Sequence, residues 1–209
     1  MPGGTLTGGR LGRLFLPMCG RYAREFSNGE LVEIFKIRHE KLQSEINYDV
    51  KPGTPVSSIR LDAKGENVHR YPAYCESFAR RRCLVPATDY YEWKEIAPKV
   101  KQQFCFTRRD GQFIAFPALY TEKEDPLATI TSPPSEDIAT VHDRTPVILE
   151  AEHWKRYLDP EPLSDDERKA MIATSSAGLL DMWPVANKAT GEELTKPIEP
   201  LTGQADLFG

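Results

Sequence analysis

Apolar positions fall into short runs bounded by turn residues, with only a few stretches at helical spacing. Leu31, Ile34 and Phe35 share one side of a helix expected from Glu30 to about Arg38, and Ser27-Asn28-Gly29-Glu30 ahead of it has the form of a capping box. Ser164-Asp165-Asp166-Glu167 is a second such box, opening a helix to about Ala173, and 150–158 reads as another helix. The rest is strand-like. Thr54–Leu61 follows the Pro52-Gly53 turn, 63–74 reads as irregular and polar, and Cys83–Trp93 has one strand's character, rich in aromatics that suit a pleated surface. Gln103–Thr107 and Gln112–Tyr120 flank Arg109-Asp110-Gly111, whose Asp-Gly pair signals a hairpin. Leu127–Thr131, Pro146–Leu149 and Met182–Ala186 complete the strands. Strands outnumber helices and do not alternate regularly with them. The predicted class is α+β, with a β-rich antiparallel core and a few peripheral helices.

Composition fits a soluble globular chain: 209 residues, 40% apolar and 28% charged, enough for one domain with a real core. The formal charge of −4 supplies no global basic field, so any nucleic-acid contact must come from a local cluster. No apolar run approaches the roughly 18 residues of a membrane span. Cys19, Cys75, Cys83 and Cys105 have neither disulfide-scaffold density nor zinc-ligand spacing, which points to a reduced, cytoplasmic setting with no metal and no cofactor. Residues 1–17 are rich in glycine and have no clear period, and read as a disordered extension or as the product of an unused upstream start. They lack the apolar region of a secretory signal, and Met18 is too large for the residue ahead of a lipidated cysteine. The expected division is 1–17, a domain over 18–200, and a flexible tail over 201–209.

The chemistry-bearing residues lie in Cys19-Gly20-Arg21-Tyr22, Asp89-Tyr90-Tyr91-Glu92-Trp93, His142-Asp143-Arg144-Thr145-Pro146 and at Asn187. Taken singly each has an ordinary reading. Cys19 is a small buried hydrophobe, Glu92 an outward-facing surface carboxylate, His142 a solvated or capping histidine, and Arg80-Arg81-Arg82 a solvated basic run. If translation begins at Met18 and that methionine is removed, Cys19 becomes the first residue and carries two nucleophiles, a thiol and a free α-amine.

Together these stretches resemble the SOS response-associated peptidase family, also called abasic-site processing proteins. The resemblance rests on Met18-Cys19-Gly20-Arg21-Tyr22, Arg81-Arg82-Cys83-Leu84-Val85-Pro86-Ala87, Tyr91-Glu92-Trp93 and Val141-His142-Asp143-Arg144-Thr145-Pro146-Val147-Ile148-Leu149, with a looser match to about Pro200. It implies that an autoproteolytic or aminopeptidase step exposes Cys19. It also implies that Cys19 crosslinks the ring-opened aldehyde of an abasic site in single-stranded DNA as a thiazolidine, in a hydrolase- or lyase-type protein of the DNA damage response. Glu92 matches the family's catalytic glutamate and His142 the histidine that assists ring opening. Arg21 and Arg144 match residues that hold the DNA backbone, and Arg81 and Arg82 add to that surface.

The chain departs from the pattern in lacking the family's Trp-Gly-Leu segment and its Asn-Ala-Arg motif. Asn67 and Arg70 are the candidates to replace the missing Asn and Arg, and Asn47 matches a structural position. Two other functions remain open: a thiol hydrolase using Cys19, His142 and Glu92, and a non-catalytic single-stranded DNA-binding protein of the same fold. The tail Gln204-Ala205-Asp206-Leu207-Phe208 resembles a bacterial sliding-clamp-binding motif, which makes the clamp a candidate partner of a monomeric, nucleoid-associated protein.

Overall fold

A computed structural model describes residues 21–27, 29, 30, 33, 47–50, 61–120, 126–172 and 177–201. Cys19, most of the expected helix from Glu30, most of the expected strand at 54–61 and the tail from 202 lie outside the described residues.

Among the described residues, ten strands build two five-stranded sheets: β1 (Tyr22–Arg24), β2 (Asn47–Val50), β3 (Leu61–Lys64), β4 (Arg82–Ala87), β5 (Asp89–Ala97), β6 (Val100–Arg108), β7 (Ile114–Tyr120), β8 (Pro126–Ser132), β9 (Thr145–Pro146) and β10 (Leu180–Val185). One sheet runs β10-β6-β5-β1-β2; the other runs β3-β8-β7-β4, with β9 added to β8. Every pairing is antiparallel except β3 with β8, so the class is the α+β one that the pattern predicts. Asn47 opens β2 and pairs with Arg24 of β1. Besides the partly described helix at 29–33, the described residues include helices α1 (Cys75–Arg80), α2 (Glu136–Ala139), α3 (Ala151–Leu158) and α4 (Asp165–Ile172), with a 3-10 turn at Gly191–Thr195.

The two sheets enclose one apolar layer, in which Tyr22, Tyr90 and Phe106 of the first face Ala87, Ile114 and Phe116 of the second. The outer face of the second sheet is covered through Phe78, Tyr157, Met171 and Ile172 of the helices. The outer face of the first is covered by Ala189 and Leu194.

Both capping boxes form. Ser27 N donates to Glu30 and Glu30 N to Ser27 Oγ, while Ser164 N donates to Glu167 and Glu167 N to Ser164 Oγ, satisfying helix-end donors reciprocally. Three expectations fail. The strand expected over Pro146–Leu149 is only the short β9, Thr145–Pro146. Asp110-Gly111 does not close a hairpin: Gly111 takes φ +69°, but β6 and β7 belong to different sheets, and the turn carries the chain between them. Residues 83–93 are likewise two strands, because the chain bends at Thr88 and β4 and β5 also lie in different sheets. Helix α1 follows directly after 63–74, the stretch that read as irregular.

Candidate functional site

The site grows from the pleat of β5. Successive residues of a strand face opposite ways, so Tyr90 and Glu92 share the face between the sheets while Tyr91 packs outward with Cys105 and Leu194. Glu92 is 4% exposed, so the expected surface carboxylate is an interior one. Its cross-strand neighbour is Phe104, and Tyr90 beside it stacks on Phe106 at 4.7 Å.

His142 approaches from the loop after α2. Its backbone N–H and that of Val141 both donate to Ile138 O, closing the helix end and seating Val141 in the inter-sheet core. Beyond it, Tyr90 Oη lies 3.5 Å from Thr145 Oγ1, which pins the loop over β5. His142 Nε2 lies 3.9 Å from Glu92 Oε2. On the other side of the ring, Nδ1 lies 3.0 Å from Asp143 Oδ1 and accepts from Arg144 N at 3.2 Å. The amide contact suits a ring hydrogen on Nε2, toward Glu92; the Asp143 contact suits one on Nδ1. The imidazole therefore spans a buried carboxylate and an exposed one, an arrangement able to carry a proton between the interior and solvent.

Arg144 does not stand free at this site. Its guanidinium forms a bidentate pair with Glu66, with Nη2 to Oε2 at 2.9 Å, and also bonds Thr131 O at 2.9 Å. The Arg144 hydrogen bonds hold the Glu66 carboxyl below its usual range. Gly65 N donates to the same Thr131 carbonyl, and a Cβ at Gly65 would run into Ile172 and Ile130, so this close approach requires glycine. Arg144 thus ties the His142 loop, β8 and the turn after β3 together, where a phosphate clamp was expected.

Three other expected DNA contacts are placed elsewhere. Arg21 lies on the outer face of the first sheet, 5.6 Å over the Tyr91 ring, with Nη1 donating to Gln103 Oε1 at 3.0 Å, away from Glu92. Arg81 bonds Glu76 and Ser77 of its own helix. Arg82 is 5% exposed, and its guanidinium reaches five carbonyls: Tyr157, Phe78, Ala79, Asp159 and Glu161. A guanidinium has five N–H donors, so none is left for phosphate, and Arg82 is a bolt between α1 and the end of α3. Asn67 and Arg70 are exposed on the turn over 65–70, and Glu66 ties that turn to the His142 loop through Arg144. Asn187 accepts from Gln103 N at 2.9 Å and donates to Lys101 O at 2.6 Å, a structural role beside β6.

Glu66 and Thr131 escape a sequence reading because neither belongs to a chemical motif; the sharp Gly65-Glu66 turn was the one available signal. Lys64, exposed beside Glu66, is a further basic residue not singled out by sequence.

Among the described cysteines, burial pushes the Cys83 thiol up to about 12 and raises Cys105 further, so neither supplies a thiolate near neutral pH. Among the described residues, no group of three or more His, Cys, Asp and Glu is arranged to hold a metal ion, and no helix is long and apolar enough to cross a membrane.

Residues 60–190 match the family described as SOS response associated peptidase (SRAP). The abasic site processing protein YoqW of Bacillus subtilis is 28% identical, over 86% of this chain and 97% of its own. The abasic site processing protein YoaM of the same organism is 31% identical, over 81% of this chain and 92% of its own. Among solved structures, a phage-related protein of Bordetella bronchiseptica shares the fold with a TM-score of 0.63 at 24% identity, over 80% of this chain and 94% of that one. The chain belongs to the SOS response associated peptidase family.

Proposed function

We propose that this protein processes abasic sites in single-stranded DNA by forming a covalent crosslink through Cys19 once that residue is N-terminal. The observation that carries the reading is the interior Glu92 carboxylate with His142 Nε2 3.9 Å away. A second supports it: Tyr91 N donates to Arg21 O at 3.0 Å, so the chain two residues after Cys19 is anchored at the residue next to Glu92. The names of the relatives, abasic site processing proteins, point to the same substrate.

The chemistry follows from two nucleophiles on one residue. Opening the abasic sugar moves a proton from the C1′ hydroxyl to the ring oxygen and leaves an aldehyde; His142 is suited to that transfer. The unprotonated α-amine, with an ordinary pKa of about 7.7–8.0, adds to C1′. The resulting hydroxyl leaves as water with a proton supplied through Glu92 and His142, giving a Schiff base. The Cys19 thiol then adds to the same carbon, its proton passing to nitrogen, and a five-membered thiazolidine closes. That closure is intramolecular and favoured by proximity. One water is lost overall, and no oxidant or cofactor is needed.

The test is borohydride trapping beside intact adduct analysis, using protein processed to begin at Cys19. Wild type should give a stable adduct without reductant. Cys19→Ala should give an adduct only when borohydride captures the Schiff base. A stable adduct from Cys19→Ala would remove the thiol from the mechanism.

A further inference from the structure

We infer that Tyr71 is a stacking platform for an unpaired base of single-stranded DNA, an inference that rests on the single-stranded substrate proposed above. Among the described residues, Tyr71 and Leu158 are the exposed large hydrophobics, and Tyr71 is the more exposed at 58%. Its ring lies on Tyr74 with centroids 5.7 Å apart and planes 28° apart. Tyr74 is only 8% exposed and packs in the same core cluster as Val68 and Phe78. Tyr71 thus extends a buried aromatic column into solvent, with one face taken by Tyr74.

Its backbone is fixed on both sides. Tyr71 N donates to Asn67 O, while Tyr74 N and Cys75 N both donate to Tyr71 O, and Pro72 follows with φ fixed by its ring. A ring presented this way loses little conformational freedom when a second flat group stacks on it.

The surrounding charge selects the partner. Glu66 is taken up by Arg144 and Glu76 by Arg81, at 3.2 Å, which leaves Lys64, Arg70 and Arg80 as exposed cations along the same segment. An exposed aromatic on a segment that also exposes three cations fits a polyanion carrying flat unsaturated groups, as single-stranded nucleic acid does. The segment is also continuous with the candidate site, because Glu66, five residues before Tyr71, is bonded to Arg144, two residues after His142.

The test is anisotropy with undamaged single-stranded oligonucleotides across a salt series, using full-length wild type, Tyr71→Ala, Tyr71→Phe and Arg70→Ala. Tyr71→Ala should weaken binding by about tenfold with the salt slope unchanged, because a stacked base but no phosphate contact is lost. Tyr71→Phe keeps the ring and should stay within about twofold of wild type. Arg70→Ala should lower the salt slope by about one phosphate. Replacing single nucleotides by unreactive tetrahydrofuran spacers should find one position where wild type loses affinity and Tyr71→Ala does not. Equal affinity of Tyr71→Ala and wild type overturns the platform, as does loss of affinity in Tyr71→Phe matching that in Tyr71→Ala. If wild type binds no single-stranded DNA, the platform and the function it rests on fall together. If the stacking signature appears while abasic oligonucleotides are not crosslinked, the platform stands and the crosslinking reading fails.

Discussion

At the scale of single residues, Glu92 decides what the site can do. Its side chain is enclosed between the sheets, with His142 Nε2 3.9 Å from its Oε2. Glu92→Gln keeps the shape and removes the proton-accepting oxygen. Adduct formation should slow by about a hundredfold, in the range of a lost general acid-base group, while affinity for undamaged single-stranded DNA stays within about twofold; single-turnover gels and anisotropy on the same preparation check both. Equal loss of binding would make Glu92 structural. The inward direction of Glu92 was not legible from its neighbours, because Tyr-Glu-Trp alternation fits either face of a sheet. Tyr91 turned out to have its own apolar cover, Leu194 and Ala189, supplied by a segment more than ninety residues away in the chain. The fold brings Glu92 and His142 together, two residues to which the family resemblance gave separate roles.

At the scale of elements, the arginines show how a basic run can be structural. Arg80-Arg81-Arg82 reads as one solvated patch, yet helix α1 ends at Arg80 and β4 begins at Arg82, so the three point into different surroundings. Arg82→Ala would leave carbonyls of Phe78, Ala79, Tyr157, Asp159 and Glu161 without their donor and should cost about 3 kcal/mol or more. That corresponds to a melting-temperature loss on the order of 10 °C. Arg82→Lys should not restore it, since one ammonium cannot replace a planar fork. Below the transition, the DNA affinity of Arg82→Lys should match wild type; calorimetry and anisotropy separate the two effects. Capping boxes were legible because their bonds are local, whereas the Asp110-Gly111 turn misled because its local chemistry fits any tight reversal, and only the partner sheets of β6 and β7 tell a hairpin from a crossing. The same turn gives a pH signature. Hydrogen bonds from Arg108 hold Asp110 at about 2 against 3.8 for the free group. A depressed carboxylate contributes stability above about pH 4 and loses it as pH falls through about 2. Melting of wild type and Asp110→Asn should therefore differ near neutrality and converge between pH 4 and pH 2. A gap that stays constant over that window would show that the Arg108–Asp110 pair is not its source.

At the scale of the molecule, two sheets bring together residues that are distant in sequence: the chain after Cys19 through β1, Glu92 through β5 and His142 through the loop after α2. The sheet class was legible from short apolar runs, but the division into two sheets was not, because two of the crossings, at Thr88 and at Asp110-Gly111, are bends inside runs that look continuous or locally closed. The account turns on whether the paired nucleophiles of Cys19 react at one carbon beside Glu92. The most direct measurement is the intact mass of protein beginning at Cys19 after incubation with a single-stranded oligonucleotide carrying one abasic site, set beside protein that retains residues 1–18. The predicted result is a heat-stable species at the summed mass less one water, formed only by the chain that begins at Cys19. An adduct formed equally fast by the longer chain, or no adduct from either, would contradict it.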